Sequence, residues 1–155
     1  MPGYKTHVVG GIITFTGFFC ALQKSYLTHC TFLTAFSYFF VTILGSLFPD
    51  VDTKSKGQMM FYQALAFYLL FLLWSRKFMT FMIVTCITML PLLVPHRGLF
   101  HNIWFLTSIV GIVSITSFVY IPTKALEIII HLLFFYAGAI SHIFLDRCMT
   151  AIKFR

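Results

Sequence analysis

The acids and histidines of this sequence fall in groups rather than singly. There are four acids, Asp50, Asp52, Glu127 and Asp146, and six histidines, His7, His29, His96, His101, His131 and His142. His142 and Asp146 are four residues apart, which on a helix makes them neighbours about 5–6 Å apart at Cβ and able to share an ion. In Pro49-Asp50-Val51-Asp52 the proline stops a preceding helix, and the two carboxylates can both turn inward if the segment is irregular. His96-Arg97-Gly98-Leu99-Phe100-His101 sets two imidazoles around a glycine turn beside a guanidinium, pairing metal ligands with an anion-binding group. His7 is trailed by Gly10 and Gly11, a small-residue face that lets another helix come close to the imidazole. Imidazole with carboxylate is a donor set suited to zinc or manganese. Together His7, Asp50, Asp52, His96, His101, His142 and Asp146 exceed the three protein ligands of a single catalytic zinc. The set therefore suits one divalent ion, or two bridged by Asp50 or Asp52. Each group alone also has a plainer reading, as a hydrogen-bonded interfacial histidine or a solvated loop with two acids.

What must position these groups is a bundle of apolar helices. Of 155 residues, 59% are hydrophobic, 19% aromatic and only 10% charged, outside the range of soluble domains. A soluble bundle needs a polar stripe on each helix, yet Cys30 to Phe48 and Ile103 to Ile121 carry no charge at all. Lipid is the implied solvent. Six apolar segments stand out: Val8 to Gln23, Cys30 to Phe48, Met59 to Trp74, Phe78 to Pro95, Ile103 to Ile121, and Ala125 to Leu145. Each predicts a helix, because a backbone in hydrocarbon must satisfy its own hydrogen bonds and the runs lack the alternation of a barrel strand. The expected fold class is all-α, a multi-spanning transmembrane bundle of about six helices in one domain over residues 1–155. Several runs fall short of the ~20 residues that span a typical bilayer, and the Met59 to Pro95 hairpin is short enough to be re-entrant. Breaks carry turn chemistry at Phe48-Pro49-Asp50, Ser75-Arg76-Lys77, Pro95 to Gly98 and Ile121 to Lys124. With one lysine ahead of it and no small-residue cleavage site, the first run is expected to be retained rather than removed as a signal peptide.

If all six segments cross, counting crossings brings His7, Asp50, Asp52, His96, His101, His142 and Asp146 to one membrane face and leaves His29, Glu127 and His131 for the other. Basic residues divide the same way: Lys5, Lys54, Lys56, Arg97, Arg147, Lys153 and Arg155 on the ligand side, against Lys24, Arg76, Lys77 and Lys124. By the positive-inside rule the ligand side and both termini face the cytoplasm. The net charge of +7 comes from basic residues scattered between apolar runs, a pattern that excludes a nucleic-acid partner and suits lipid headgroups. Glu127 and His131 form another four-residue pair, read either as an interfacial pair with Glu127 reaching the far surface or as part of a polar path toward His142. Cys20, Cys30, Cys86 and Cys148 have no metal or disulfide-framework spacing and read as apolar filler.

These residues resemble the YdjM-like family of predicted bacterial inner-membrane metal-dependent hydrolases. The resemblance rests on His7 with its trailing glycines, Gly45-Ser46-Leu47-Phe48-Pro49-Asp50-Val51-Asp52 with Ser55 and Gly57, His96 to Asn102, and Ser141-His142-Ile143-Phe144-Leu145-Asp146. Thr53 stands where members often carry histidine, Asn102 where serine is usual, and Thr150 one residue later than the family's threonine. The resemblance implies a multi-spanning protein of the bacterial inner membrane with a metal-dependent hydrolase site.

Read together, the residues and the resemblance lead to a hydrolase acting on a lipid or phosphoester at the cytoplasmic headgroup plane. His7, Asp52, His101, His142 and Asp146 would be metal ligands, and Asp50 a bridging ligand or general base. His96 would be a ligand or proton donor, and Arg97 would hold the substrate anion. Two other classes stay open. A transporter would place polar groups near the midplane, where His131 falls, and a noncatalytic membrane protein would use metal only to clamp its helices.

Overall fold

The structure, a computed structural model, describes residues 3–24, 31–52, 56–93 and 99–153, with the backbone alone given for Asp52, 90–93 and 150–153. All regular structure among these residues is helical: α1 (Tyr4–Lys24), α2 (Phe32–Leu47), α3 (Lys56–Trp74), α4 (Phe78–Leu93), α5 (Ile103–Tyr120) and α6 (Pro122–Lys153), with a 3-10 turn at Phe48–Asp52 after α2. Five helical stretches, Tyr4–Lys24, Phe32–Val51, Lys56–Trp74, Ile103–Tyr120 and Pro122–Met149, are long and apolar enough to cross a membrane, and α4 carries a shorter apolar stretch at Phe78–Met89.

Local chemistry sets the ends. Thr31 caps α2, its hydroxyl accepting the Thr34 N–H. The α3–α4 turn closes with Arg76 in the left-handed region at φ 54°, and Lys77 N–H reaches back to the Leu72 carbonyl at 2.9 Å. This is a Schellman closure with arginine where glycine is commonest. α6 differs most from expectation. The apolar run predicts Ala125 to Leu145, whereas the helix spans 32 residues. It starts on Pro122, whose missing N–H is no loss in a first turn, and continues past Asp146 through a polar stretch that hydropathy does not mark.

α2 and α6 are the central pair and pack on each other most extensively. α1 lies against both, α5 against α6, α3 against α2, and α4 against α3. With lipid outside, burying apolar area between helices yields little net gain, so close packing and small residues hold the bundle. Gly45 and Gly138 provide this at the α2–α6 crossing: a Cβ on Gly45 would collide with the Phe135 carbonyl, and one on Gly138 with the Thr42 carbonyl. Around the contact pack Tyr38, Leu44, Leu47, Phe48, Phe61 and Phe134, with Tyr38 stacked on Phe134 at 4.6 Å. Such pairs add about 0.5–1.5 kcal/mol each. Large apolar side chains such as Phe67, Ile115 and Phe118 point outward, as a lipid-facing surface requires.

Candidate metal centre

Four segments deliver acids and histidines to one end of the bundle. Pro49 has no N–H to continue α2, so the chain tightens into the 3-10 turn that carries Asp50. Phe48 and Val51 on either side are fully buried anchors, and the Gln58 amide donates to the Val51 carbonyl at 2.9 Å. His101 sits in a turn pinned by buried Phe100, which packs edge-on against Phe48 at 5.2 Å. The next residue, Asn102, caps α5 by accepting the Trp104 N–H at 3.0 Å, so the asparagine that departs from the family's serine keeps a capping oxygen. His142 and Asp146 project from successive turns of α6. His7, near the start of α1, reaches them because Gly11 lies against Ser46 of α2 and Gly10 against Leu145 and Ser141 of α6.

One ligand-capable atom from each of Asp50, His101, His142 and Asp146 lies within 4.8 Å of the others. His142 Nε2 is 3.5 Å from Asp50 Oδ1 and 3.4 Å from Asp146 Oδ2. His101 Nε2 is 3.7 and 3.6 Å from the same two oxygens. These gaps exceed ordinary N–H···O hydrogen bonds of about 2.7–3.2 Å, and among the described residues His101 Nε2 and His142 Nε2 are buried with no partner at hydrogen-bond length. They match two ligands on one ion: bonds of about 2.0–2.2 Å at angles of roughly 110–125° put nitrogen and oxygen about 3.4–3.7 Å apart. The donor set and its spacing therefore fit a shared divalent ion.

His142 is held for this role. Its side chain is completely buried, and its Nδ1–H donates to the Ser46 carbonyl at 2.7 Å. That carbonyl belongs to the last turn of α2, where helix geometry leaves acceptors unused. The bond fixes the tautomer with the Nε2 lone pair facing the carboxylates, the arrangement usual for metal-binding histidine. His7 stacks on His142 at 3.7 Å with its Nε2 3.5 Å from Asp146 Oδ1. The side chains of His101, Asp50 and Asp146 are 30%, 24% and 17% exposed, while that of His142 is completely buried.

Of the residues singled out in the sequence, His7, Asp50, His101, His142 and Asp146 are brought together. The side chain of Asp52, and His96 and Arg97 entirely, lie outside the described residues. His131 and Glu127 are elsewhere. His131 donates from Nδ1 to the Glu127 carbonyl at 2.7 Å, and its Nε2 takes the Ser37 hydroxyl at 2.9 Å, which in turn bonds Tyr68 Oη at 2.9 Å. The Glu127 carboxylate pairs with Lys77 at 2.7 Å, by the α3–α4 turn at the opposite end. The polar path toward His142 is thus a satisfied network linking α2, α3 and α6. Sequence reasoning missed the Ser46 carbonyl and the Gly45–Gly138 contact. Gly45-Ser46 was visible as a motif, but nothing in residue types says which carbonyl meets an imidazole.

A family model described as YdjM inner membrane protein matches residues 1–153 of the chain. No curated protein and no solved structure matches it.

Proposed function

The chain belongs to the YdjM family of inner membrane proteins, and on that premise we propose that it is a metal-dependent hydrolase of a lipid or phosphoester, working at the cytoplasmic headgroup plane. The observation that carries this reading is the convergence of Asp50, His101, His142 and Asp146 within 4.8 Å. The four would hold a divalent ion, and imidazole with carboxylate suits zinc or manganese. Such an ion, when bound, supplies Lewis acidity that activates water and polarises an ester oxygen.

The chain's own groups do the rest. The Ser46 carbonyl orients His142, and Phe48 and Phe100 hold the two turns that bring Asp50 and His101 inward. Asp50, partly exposed, is available as general base once a substrate is seated. Arg97, four residues before His101 in sequence, supplies a guanidinium suited to a phosphate oxygen, and His96 a proton donor for the leaving group.

The headgroup level is supported by Trp104, which is 78% exposed and one turn from His101. Trp74 and Tyr120 are equally exposed at the other end of the bundle. Tryptophan and tyrosine mark the two membrane–water interfaces, which supports headgroup depth for the cluster. The excess of basic residues on the same side supports the cytoplasmic orientation. The transport reading has less support, because His131, its best candidate, has both ring nitrogens engaged.

Elemental analysis of the detergent-purified chain, with hydrolysis assays on aryl phosphoesters and phospholipid vesicles, tests the proposal. Retained metal and turnover that Asp146→Ala abolishes are expected. Absence of bound metal, or unchanged turnover in Asp146→Ala, rejects it.

A further inference from the structure

The rings of His7 and His142 are stacked, with centroids 3.7 Å apart and planes 17° from parallel. An imidazole nitrogen accepts through a lone pair lying in its own ring plane. Two nearly parallel rings in van der Waals contact therefore aim at two separate points, offset by roughly the stacking distance, and do not close on a single ion. Asp146 meets them in the same divided way. Its Oδ2 lies 3.4 Å from His142 Nε2 and 3.6 Å from His101 Nε2, whereas its Oδ1 lies 3.5 Å from His7 Nε2. One carboxylate offers one oxygen to each ring.

We propose that the centre is dinuclear, with Asp146 as the bridge: one ion held by Asp50, His101, His142 and Asp146 Oδ2, the second by His7 and Asp146 Oδ1. This rests on the reading above that the site binds metal, and deepens it. Ring spacing of 3.7 Å matches the separation of about 3.5–4 Å found in two-metal hydrolytic sites. Centres of that spacing occur in phosphatases and nucleases, where they serve in-line displacement at phosphorus, and in aminopeptidases, so the second ion is compatible with the phosphoester reading. The two positions are unequal. The first has four protein donors and the second two among the described residues, so the second fills last.

The sequence expectation made Asp50 or Asp52 the bridge. Asp50 approaches His101 and His142 through Oδ1, the same pair that Asp146 Oδ2 faces, which makes it a ligand of the first position.

Manganese titration of the purified full chain, followed by electron paramagnetic resonance and by metal counting, tests the assignment. The first equivalent is expected to give the six-line signal of an isolated Mn(II). The second should quench it, because two ions this close couple magnetically. Saturation should come at two ions per chain. His7→Ala should saturate at one and keep the six-line signal. One ion at saturation in the wild-type chain, or two in a folded His7→Ala, overturns the dinuclear assignment. The wild-type titration decides the matter even if a His7 variant does not fold. A wild-type chain that binds one ion and hydrolyses phosphoesters leaves the proposed function standing without the second ion, and a chain that binds none removes both.

Discussion

Gly138 of α6 lies against the Thr42 carbonyl of α2 so closely that a Cβ there would meet backbone, and the next turn of α6 places His142 on the Ser46 carbonyl at 2.7 Å. The helix spacing that the glycines permit is thus the spacing at which the His142 imidazole meets the carbonyl that orients it. Gly138→Ala is expected to push the helices apart and destabilise the protein by about 1–3 kcal/mol, with a parallel loss of retained metal. Gly17→Ala, inside α1 where an added Cβ meets nothing within 4 Å, should keep its metal and be as stable or up to about 1 kcal/mol more stable. Thermal unfolding in detergent and metal analysis of the two variants make the comparison.

Removing a carboxylate that faces three imidazoles should weaken metal binding by more than the ~10–100-fold typical of lost positioning partners. Asp146→Ala is expected to lose its metal on dialysis and fall to background hydrolysis. Glu127→Gln, at the opposite end of the bundle and half-exposed beside Lys77, should keep its metal and lose at most about 1 kcal/mol. Equal metal loss in the two variants would break the assignment of the centre.

Asn102 caps α5 one residue after His101. Asn102→Ala should cost about 0.5–2 kcal/mol and loosen metal binding by freeing the turn that holds His101. Asn102→Ser, which keeps a capping oxygen, should restore both. Isothermal titration with zinc, alongside melting curves, distinguishes a cap from a ligand, since a ligand role would not be rescued by serine.

The Tyr68–Ser37–His131 network is predicted to be structural. Ser37→Ala should cost about 0.6 kcal/mol, and no more than ~1.7 kcal/mol, as measured for interhelical hydrogen bonds in membranes. Metal content and hydrolysis should not change. Proteoliposomes carrying His131→Ala should show the same proton and zinc flux as wild type; a flux lost only in the variant would make the network a conduction path.

Run length and turn chemistry locate all six helices because a backbone in hydrocarbon has no alternative partner for its amides. Parity then assigns His7, Asp50, His101, His142 and Asp146 to one end without any coordinates, since antiparallel helices alternate their ends. What residue types did not disclose has physical reasons too. Hydropathy marks the lipid-embedded part of α6 and not its helical extent, so the start at Pro122 and the polar final turns were invisible. The partners of His131 are hydroxyls of Ser37 and Tyr68, which fit equally well on a lipid-facing surface. The stacking of His7 on His142 depends on the approach of α1 to both central helices, which glycine positions permit but do not dictate.

The contact of backbone on backbone between α2 and α6 has a consequence for cation choice. Side chains can change rotamer to widen a cavity, but two helix backbones already touching have only one direction in which to yield. That direction is apart, and an ion the size of calcium, with bonds of about 2.3–2.6 Å and six to eight oxygen neighbours, would draw Asp50 and Asp146 apart only by forfeiting the close packing that holds α2 on α6. The crossing therefore acts as a calliper, favouring small cations over large ones before any preference of nitrogen for zinc is counted.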